Sequence, residues 1–442
     1  MSISPVTRTL ALLCSAQFLV VLDVTIVAVA LPAIRRSLGF SAEDLQWVVT
    51  AYTLAFGGLL IPAGRAADLL GRRRVFRIGL VLFGLSSLGC GLAPSAAALV
   101  VLRTVQGAGA ALIAPSALAL LTAAFPDDGE RRHAVAWWTA AAAGGGASGW
   151  VLGGVLVEAL GWPSVFLVNV PVCAAAAVLA PRIVAESGAG GGRGLDVSGA
   201  VAVTVGLALL VHGLTRGEPW SLAGAVVALG VFGLVERRAA DPILPRTALR
   251  RPGFVAATGA SVALTATTTA PMFLAILYQQ EVLGRSALAT GLACAPFNLA
   301  VIAGSFLAPR GRAMAGGLAG IAAGAVSLAT LSEDGPAVVQ LLGAFAVMGA
   351  GLGAASVAAT AAGTAALDAG DQGIASGVLN AAAQIGTVLG LSIFVPLAAA
   401  ADDVMTGYRW GFLGAAALGL AAAGVLTGSW RRSRRRPTML RR

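Results

Sequence analysis

Residues 9–31, TLALLCSAQFLVVLDVTIVAVAL, form an uninterrupted apolar run that carries one charged residue, Asp23. A helix needs about 20 apolar residues to cross a hydrocarbon core of about 30 Å. The run is continuous rather than alternating, and this favours a membrane-spanning helix over a strand of a closed barrel. The stretch therefore predicts an integral membrane protein that begins with a transmembrane helix.

The same pattern recurs along the chain and predicts fourteen spans joined by short loops. The composition agrees, because 57% of the residues are hydrophobic and only 11% are charged, whereas soluble domains contain about 25% charged residues. The fold class is an all-α polytopic membrane protein. Besides the first span, the predicted spans are 45–64, 75–93, 96–124, 133–157, 163–181, 197–215, 220–236, 253–280, 286–308, 313–331, 336–362, 373–398 and 407–429.

All 30 basic residues are arginines, and they follow the predicted topology. If the N-terminus lies inside, 24 arginines fall on inner segments, 5 fall on outer loops, and Arg103 lies within a span. This distribution obeys the positive-inside rule. We therefore expect a multi-pass protein of the cell membrane with both termini in the cytoplasm, and we exclude nucleic acid as the partner of the +10 net charge. The arginine-only usage, with abundant Ala and Gly, suits a high-GC, actinobacterial-like source.

The fourteen spans divide into six, two and six, a pattern expected of two fused six-helix halves with an added helix pair. We predict an N-terminal half over 1–181, an inserted helix pair with its cytoplasmic linkers over 182–252, and a C-terminal half over 253–430. A basic tail over 431–442 either sets the topology or anchors to anionic lipid headgroups.

Asp23 and Arg103 are the two charged residues that lie deep within predicted spans of the first half. A charge at that depth costs at least about 2.5–3.5 kcal/mol, so such residues are functional candidates by default. Burial favours the protonated form of a carboxylate and a nearby arginine favours the charged form, so the balance changes with the surroundings. We predict that the two residues couple proton movement. The alternative is a structural pair that only holds helices together.

Neutral polar residues within the spans are candidates for a substrate cavity, because the second half has no acidic residue deep in a span. Amide and phenol groups in a helix bundle either bind substrate or join helices, and both interpretations stay open for each residue. The predicted cavity residues are Gln106, Tyr278, Gln279, Asn298, Asn380 and Gln384.

The sequence excludes several classes of protein. A nucleotide-binding P-loop requires lysine, which the chain lacks, so ATP-driven pumping by this chain alone is excluded. Two histidines and four isolated cysteines show no metal-ligand spacing, and no nucleophile elbow or other catalytic group is present. We expect neither an enzyme nor a bound cofactor or metal, and a proton gradient is the expected energy source.

Four motifs carry a resemblance to a known family. They are LDVTIVAVALP at 22–32, GRAADLLGRRR at 64–74, RTVQGAGA at 103–110 and GGASGWVLGG at 145–154. The first is similar to the signature L-D-x-T-I-V-N-V-A-L-P, with Ala28 in place of Asn. Together the motifs resemble the major facilitator superfamily and, within it, the 14-spanning drug:proton antiporter family.

The resemblance implies roles for particular residues. In this family the arginine that matches Arg103 is associated with proton transfer. The second motif matches a cytoplasmic gating motif, although Leu69 replaces its first arginine, and its residues here are Gly64, Asp68, Gly71, Arg72 and Arg73. The fourth resembles the antiporter motif with Trp150 in place of proline, so the proline-dependent kink is lost. Its residues are Gly145, Gly149, Trp150, Gly153 and Gly154.

The function that the resemblance implies is proton-coupled export of hydrophobic drugs, antibiotics or secondary metabolites by alternating access. The expected partners are membrane lipids, protons and a small hydrophobic substrate, and the expected state is a monomer. Because the chain has one deep carboxylate, we favour neutral, zwitterionic or anionic substrates, with monovalent cations also open. The alternatives are an uptake symporter or facilitator, which Trp150 keeps open, and a non-transporting membrane sensor or scaffold, whose expected soluble domain is absent.

Overall fold

The computed structural model describes residues 5–41, 43–125, 127–187, 197–238, 248, 250–306, 313–331, 337–367 and 372–434. Parts of the two predicted cytoplasmic linkers, and tail residues 435–442, lie outside these ranges.

Every regular element in those ranges is helical. A 3-10 turn, Asp44–Gln46, precedes the second helix, and a π-helical turn, Tyr278–Val282, follows the tenth. The α-helices are α1 Pro5–Leu38, α2 Trp47–Leu70, α3 Arg72–Gly91, α4 Ala96–Ala124, α5 Asp128–Leu160, α6 Ser164–Leu167, α7 Asn169–Ile183, α8 Val197–Arg216, α9 Pro219–Arg238, α10 Pro252–Leu277, α11 Ala287–Phe306, α12 Ala313–Ala329, α13 Ala337–Ala365, α14 Gln372–Ala399 and α15 Val404–Arg434.

The helices correspond one to one to the fourteen predicted spans, with α6 and α7 sharing one span. Within the described residues, twelve stretches are long and apolar enough to cross a membrane, and two shorter apolar helices, Val201–Arg216 and Ala313–Ala329, account for the other two spans. The prediction of an all-α, multi-pass membrane protein is confirmed. The orientation of the termini stays a prediction.

Some helices extend beyond the apolar runs because polar residues cap their ends. The carboxylate of Asp127 accepts hydrogen bonds from the backbone nitrogens of Gly129 (2.8 Å) and Glu130 (3.1 Å), so α5 begins at Asp128, before its apolar segment. Ser95 caps α4 in the same way, through the nitrogen of Ala98 at 3.3 Å. Caps of this kind satisfy backbone donors that have no partner within the helix.

The chain forms two compact units, Met1–Pro245 with Ile276–Ala295, and Arg246–Ala275 with Pro296–Arg442. The predicted boundaries at 181, 252 and 430 stay predictions. In the first unit α1 packs on α5 and α4, α4 packs on α2 and α3, and α3 packs on α7. A buried cluster that includes Leu13, Phe76 and Phe83 fills the space among these helices.

The predicted inserted pair, α8 and α9, belongs to the first unit and packs on α2. Helix α8 contacts α2, and α9 contacts α8. Arg216 at the end of α8 forms an ion pair with Asp44 at 2.7 Å. Helix α9 exposes apolar side chains such as Val226 (73% exposed) and Val227 (66%), which is the surface expected for a helix that faces lipid.

In the second unit α12 packs on α13 and α15, and α14 packs on α13 and α15. Glycines allow the backbones to approach closely. A Cβ built at Gly390 of α14 would overlap the carbonyl oxygen of Ala266 in α10, and one at Gly353 of α13 would overlap that of Val301 in α11. Such small-residue contacts are the usual packing of helices in membranes, where burial of apolar side chains supplies little driving force.

Candidate functional site

Asp23 of α1 and Arg103 of α4 meet in a buried ion pair. Arg103 Nη1 lies 2.6 Å from Asp23 Oδ2, and the side chains are 1% and 0% exposed. The structure thus brings together the two charges that the sequence placed deep in the spans. Their proton-coupling role stays a prediction. Because both side chains are shielded from water, removal of one charge would leave the other buried without a counter-charge.

Neutral polar groups complete the surroundings of Asp23. Gln106 Nε2 and Asn169 Nδ2 each donate to Asp23 Oδ1 at 2.9 Å. The same two nitrogens contact Ser87 Oγ at 3.1 and 3.0 Å, and Ser87 in turn donates to the carbonyl of Phe166 at 2.9 Å. We refer to this set of fully or almost fully buried side chains as the buried polar network: Asp23, Ser87, Arg103, Gln106 and Asn169.

Arg103 is held by more than its carboxylate partner. Its Nε donates to the carbonyl of Val48 at 2.9 Å, and its Nη1 donates to Gln106 Oε1 at 2.8 Å. The guanidinium carbon lies 4.3 Å from the centre of the Tyr52 ring and 5.7 Å from that of Phe166. Aromatic faces attract cations, most strongly where water is excluded. The arginine is therefore a fixed positive charge whose position does not depend on Asp23 alone.

The third motif positions the network through helix geometry. Arg103 and Gln106 are three residues apart and so lie on one face of α4. Gly107 and Gly109 give that helix its close contacts. A Cβ at Gly107 would overlap the carbonyl oxygen of Tyr52, and one at Gly109 would come within 2.7 Å of the nitrogen of Phe83. The glycines thus bring α2 and α3 close enough for their residues to reach Asp23 and Arg103.

The side-chain amide of Asn169 is suited to both the charged and the neutral form of Asp23. Its amide nitrogen donates to Asp23, but its Oδ1 is buried and has no hydrogen-bond partner among the residues that the structure describes. A protonated carboxyl has one hydrogen to donate, and an amide oxygen can accept it. Rotation of the Asn169 amide would supply that acceptor when Asp23 is neutral.

The predicted gating motif forms the turn between α2 and α3. Asp68 Oδ1 accepts hydrogen bonds from Arg72 at 2.9 Å (Nε) and 2.8 Å (Nη2). Gly71 ends α2 with a φ of +96°, a left-handed conformation that favours glycine. The backbone N–H of Arg73 donates a hydrogen bond to Glu186 Oε1 at 2.9 Å. The turn is therefore tied to the segment that follows α7, through Glu186, which the sequence did not single out. A Cβ built at Gly64 would lie 3.6 Å from the Cβ of Pro115, which is an ordinary van der Waals contact.

The glycines of the predicted antiporter motif form a stripe along α5, and α1 packs against this stripe. Cβ atoms built at Gly145 and Gly149 would overlap the carbonyl oxygen of Phe18 and the hydroxyl of Thr25. A Cβ at Gly153 would lie 2.9 Å from the carbonyl oxygen of Ile26. These contacts span the part of α1 that carries Asp23, so the stripe fixes the depth and rotation of that residue.

Trp150 and Gly154 lie on another side of α5. A Cβ at Gly154 would come within 2.5 Å of the Cα of Leu288, and one at Gly291 would overlap the carbonyl oxygen of Trp150. The Trp150 side chain is 5% exposed, and within the described part of the chain its indole nitrogen has no hydrogen-bond partner. Trp150 is therefore a packed residue at the contact between α5 and the start of α11.

The predicted cavity residues occupy different environments. Gln106 belongs to the buried polar network. Tyr278 and Gln279 are fully buried in the first unit, where Gln279 Oε1 accepts from Arg285 at 3.1 Å. In the second unit Asn298 is half-buried, whereas Asn380 is exposed and lines a cavity. Gln384 donates to Asn380 at 3.5 Å. A role in substrate binding stays a prediction for all six.

A further ion pair lies at the C-terminal end of α1. The arginine distribution predicts that this end is on the outer side of the membrane. Arg35 Nη1 contacts both carboxylate oxygens of Glu281, at 2.8 and 2.7 Å, and the two side chains are 31% and 30% exposed. Glu281 directly follows the predicted span 253–280. We call this pair the end clamp.

Two contacts lie beside the end clamp. Gln280 Nε2 donates to the carbonyl of Val29 at 3.0 Å, and the carboxylate of Glu158 accepts from the nitrogen of Leu288 at 3.0 Å. Residues 276–295 are therefore joined to both α1 and α5, and this explains why they belong to the first compact unit.

The end clamp can be tested by hydrogen exchange, and the expected effect is small. An exposed ion pair contributes about 0.2–1 kcal/mol, and 1.4 kcal/mol corresponds to a tenfold change. We expect Arg35→Glu and Glu281→Arg each to accelerate backbone hydrogen exchange at 276–295 by about two- to fivefold, and the double exchange to restore it. Arg36→Glu is the matched control for charge. Equal acceleration in Arg36→Glu, or no recovery in the double variant, would refute the pairing.

Comparison with known proteins identifies the family. The model of the Major Facilitator Superfamily matches residues 13–391. The cephamycin export protein CmcT of Amycolatopsis lactamdurans is 38% identical over 96% of this chain and 92% of its own length. The puromycin resistance protein pur8 of Streptomyces alboniger is 38% identical over 87% of this chain and 80% of its own. The tetracenomycin C resistance and export protein of Streptomyces glaucescens is 34% identical over 87% and 75%.

Solved structures agree in fold. A bacterial homologue of the human lysosomal transporter Spinster, in an inward-facing and unoccupied conformation, has a TM-score of 0.71 at 17% identity and covers 98% of both chains. A POT family transporter in complex with 5-aminolevulinic acid has a TM-score of 0.74 at 13% identity, with 96% of both chains covered. The chain belongs to the Major Facilitator Superfamily, and it is a membrane transporter rather than an enzyme.

Proposed function

We propose that the protein is a proton-coupled secondary active exporter of hydrophobic antibiotics, other drugs or secondary metabolites. The observation that carries this proposal is the buried polar network, in which a carboxylate lies within a membrane span beside a fixed arginine. The relatives support the choice of substrate, since several carry names of antibiotic export or resistance proteins.

The network suggests how a proton would act on the helices. Protonation of Asp23 removes the counter-charge of Arg103, while Val48, Gln106 and Tyr52 still hold the guanidinium. The attraction between α1 and α4 then weakens, and the Asn169 oxygen becomes an acceptor for the new hydrogen. A change from an ion pair to a neutral hydrogen bond in a low-dielectric site is large enough to shift a conformational equilibrium.

The proton gradient supplies the energy in this proposal, without a bound cofactor. One charge that crosses about 180 mV releases about 4 kcal/mol, from about 2.3 kcal/mol per 100 mV. At 1.4 kcal/mol per tenfold change, this sustains a concentration ratio of roughly a thousand for a neutral substrate. The protein would act as a monomer in the cell membrane, with both termini in the cytoplasm and lipids around it.

A facilitator or uptake symporter is the second candidate, because Trp150 replaces the proline of the antiporter motif. The buried indole lies where α5 meets α11, and a helix without proline keeps its backbone hydrogen bonds in that region. This departure concerns the direction of coupling rather than the presence of transport.

One vesicle experiment tests both candidates. Lipophilic antibiotics and dyes are added to the medium of inside-out vesicles that have an acidified lumen, and the luminal pH is followed. We expect these compounds to cause proton release from the lumen in the wild type and not in vesicles that lack the protein. Movement of labelled compounds down their gradients, with no pH response, would replace antiport with facilitated diffusion.

A further inference from the structure

A cavity of about 300 Å³ opens in the second unit among α10, α13 and α14. Its polar lining consists of short neutral side chains. We call it the hydroxyl–amide pocket, and its polar residues are Ser261, Thr265, Ser356, Thr360, Ser376 and Asn380. A cavity of this size lies at the lower end of the range for small-molecule sites, about 300–1,000 Å³. It can hold one ring of a drug-sized compound together with its substituents.

The polar side chains converge because of helical spacing. Ser356 and Thr360 are four residues apart on α13, and so are Ser376 and Asn380 on α14. Residues at this spacing lie on the same face of a helix. All four are exposed although they lie within apolar helices. Polar groups in membrane spans face the bundle interior or a water-filled cavity, because lipid offers them no hydrogen bonds.

The pocket offers both acceptors and donors. The hydroxyls of Ser261 and Thr265 donate to the carbonyls of Ala257 (3.0 Å) and Ala383 (2.6 Å), so their oxygens remain able to accept. Asn380 Oδ1 accepts from Gln384, whereas the Asn380 nitrogen makes no hydrogen bond within the described part of the chain. That nitrogen is therefore a donor for a ligand.

The chemistry of the lining selects a neutral ligand. Among the described residues, those that line the cavity include no acid and no base. A charged group there would lose hydration without gaining a counter-charge, and this is costly. Leu264, Leu379 and Ala383 provide an apolar wall on which the face of a ring can rest.

We propose that the hydroxyl–amide pocket is a binding subsite for the neutral, hydrogen-bonding part of the transported compound, a ring whose substituents carry hydroxyl and amide groups. This inference rests on the proposed export function and adds to it the position and chemical class of the substrate contact. Asn380 donates to a ligand oxygen, and the serine and threonine hydroxyls exchange hydrogen bonds with ligand hydroxyl groups.

Equilibrium binding without a proton gradient tests the subsite. The full-length protein in lipid nanodiscs is titrated with chloramphenicol, a neutral aromatic compound with two hydroxyls and an amide, and with its diacetate, in which both hydroxyls are capped. We expect chloramphenicol to bind at least about threefold more tightly than the diacetate. One neutral hydrogen bond corresponds to about three- to tenfold in affinity.

Variants locate the binding. Asn380→Leu and Thr360→Val are each expected to weaken chloramphenicol binding by about three- to tenfold. Thr364→Val, one turn further along α13 and outside the pocket lining, is the matched control and should bind as the wild type does. Folding of each variant is checked by its thermal unfolding. Absence of chloramphenicol binding, equal affinity for the diacetate, or equal loss in Thr364→Val would overturn the subsite.

The outcome is separable from that of the proposed function. Substrate-driven proton release together with unchanged binding in Asn380→Leu would reject the subsite alone. Binding that depends on Asn380, without any substrate-driven proton release, would reject proton coupling alone.

Discussion

Asp23→Asn is expected to abolish proton-driven export; the protein still inserts into the membrane, although the uncompensated charge of Arg103 lowers its stability. Asparagine keeps the shape of the side chain and still accepts a hydrogen bond from Arg103, but it cannot take up or release a proton. Substrate-induced proton release in the acidified vesicles should fall to the level of vesicles without the protein. Normal pH-driven transport by this variant would remove Asp23 from the mechanism.

Changes at Arg103 separate folding from coupling. Arg103→Ala leaves a buried carboxylate without its partner, and breaking a buried pair in this way costs about 3–5 kcal/mol. We expect poor accumulation of that variant in the membrane. Asp23→Asn combined with Arg103→Gln removes both charges and should recover the amount of folded protein without recovering proton release. Recovery of transport in the double variant would mean that the pair only holds α1 against α4.

Gly145→Ala is expected to have the second-largest effect, through packing alone. The added Cβ would overlap the carbonyl oxygen of Phe18, and a backbone atom cannot rotate away as a side chain can. Inserting atoms into a packed interior costs about 1–3 kcal/mol. Since α1 carries Asp23, its displacement should also impair transport. We expect a lower unfolding temperature in detergent and at least a severalfold slower export.

The neighbouring residue provides the control for this change. A Cβ at Gly144 would meet only the ring edge of Phe18, at 3.7 Å, an ordinary contact. Gly144→Ala should therefore be neutral or slightly stabilising, because alanine favours the helix over glycine by about 1 kcal/mol. Equal behaviour of the two alanine variants would show that the contact between α1 and α5 is not as close as described.

The sequence predicted the spans and singled out the two deep charges because both follow from the cost of placing groups in lipid. An apolar run long enough to cross the bilayer forms a helix wherever its neighbours lie. A charge within such a run must find a partner in the interior. Asp23 and Arg103 were the two deep charges of the first half, so a pair between them was the alternative interpretation of the sequence, although 80 residues separate them.

The neutral members of the network could not be assigned in this way. Asn169 reaches Asp23 across 146 residues of sequence, and Ser87 is a small polar residue with no local signature. Gln106 was predicted to line a cavity, but an amide within a span has the same sequence pattern whether it faces a substrate or a buried carboxylate. The end clamp was missed for a similar reason, because Arg35 and Glu281 lie at the ends of helices that are 246 residues apart.

The presence of one carboxylate beside the anchored Arg103 has a consequence for electrical measurements. Under the proposed mechanism each cycle carries one proton, because the network offers one group that can bind it. Export of a neutral compound then moves one net charge across the membrane, so the membrane voltage drives it and a current accompanies it. Exchange of the same proton for a monovalent cation moves no net charge and responds to the pH difference alone. The charge of the cargo thus decides which component of the proton-motive force the transporter uses.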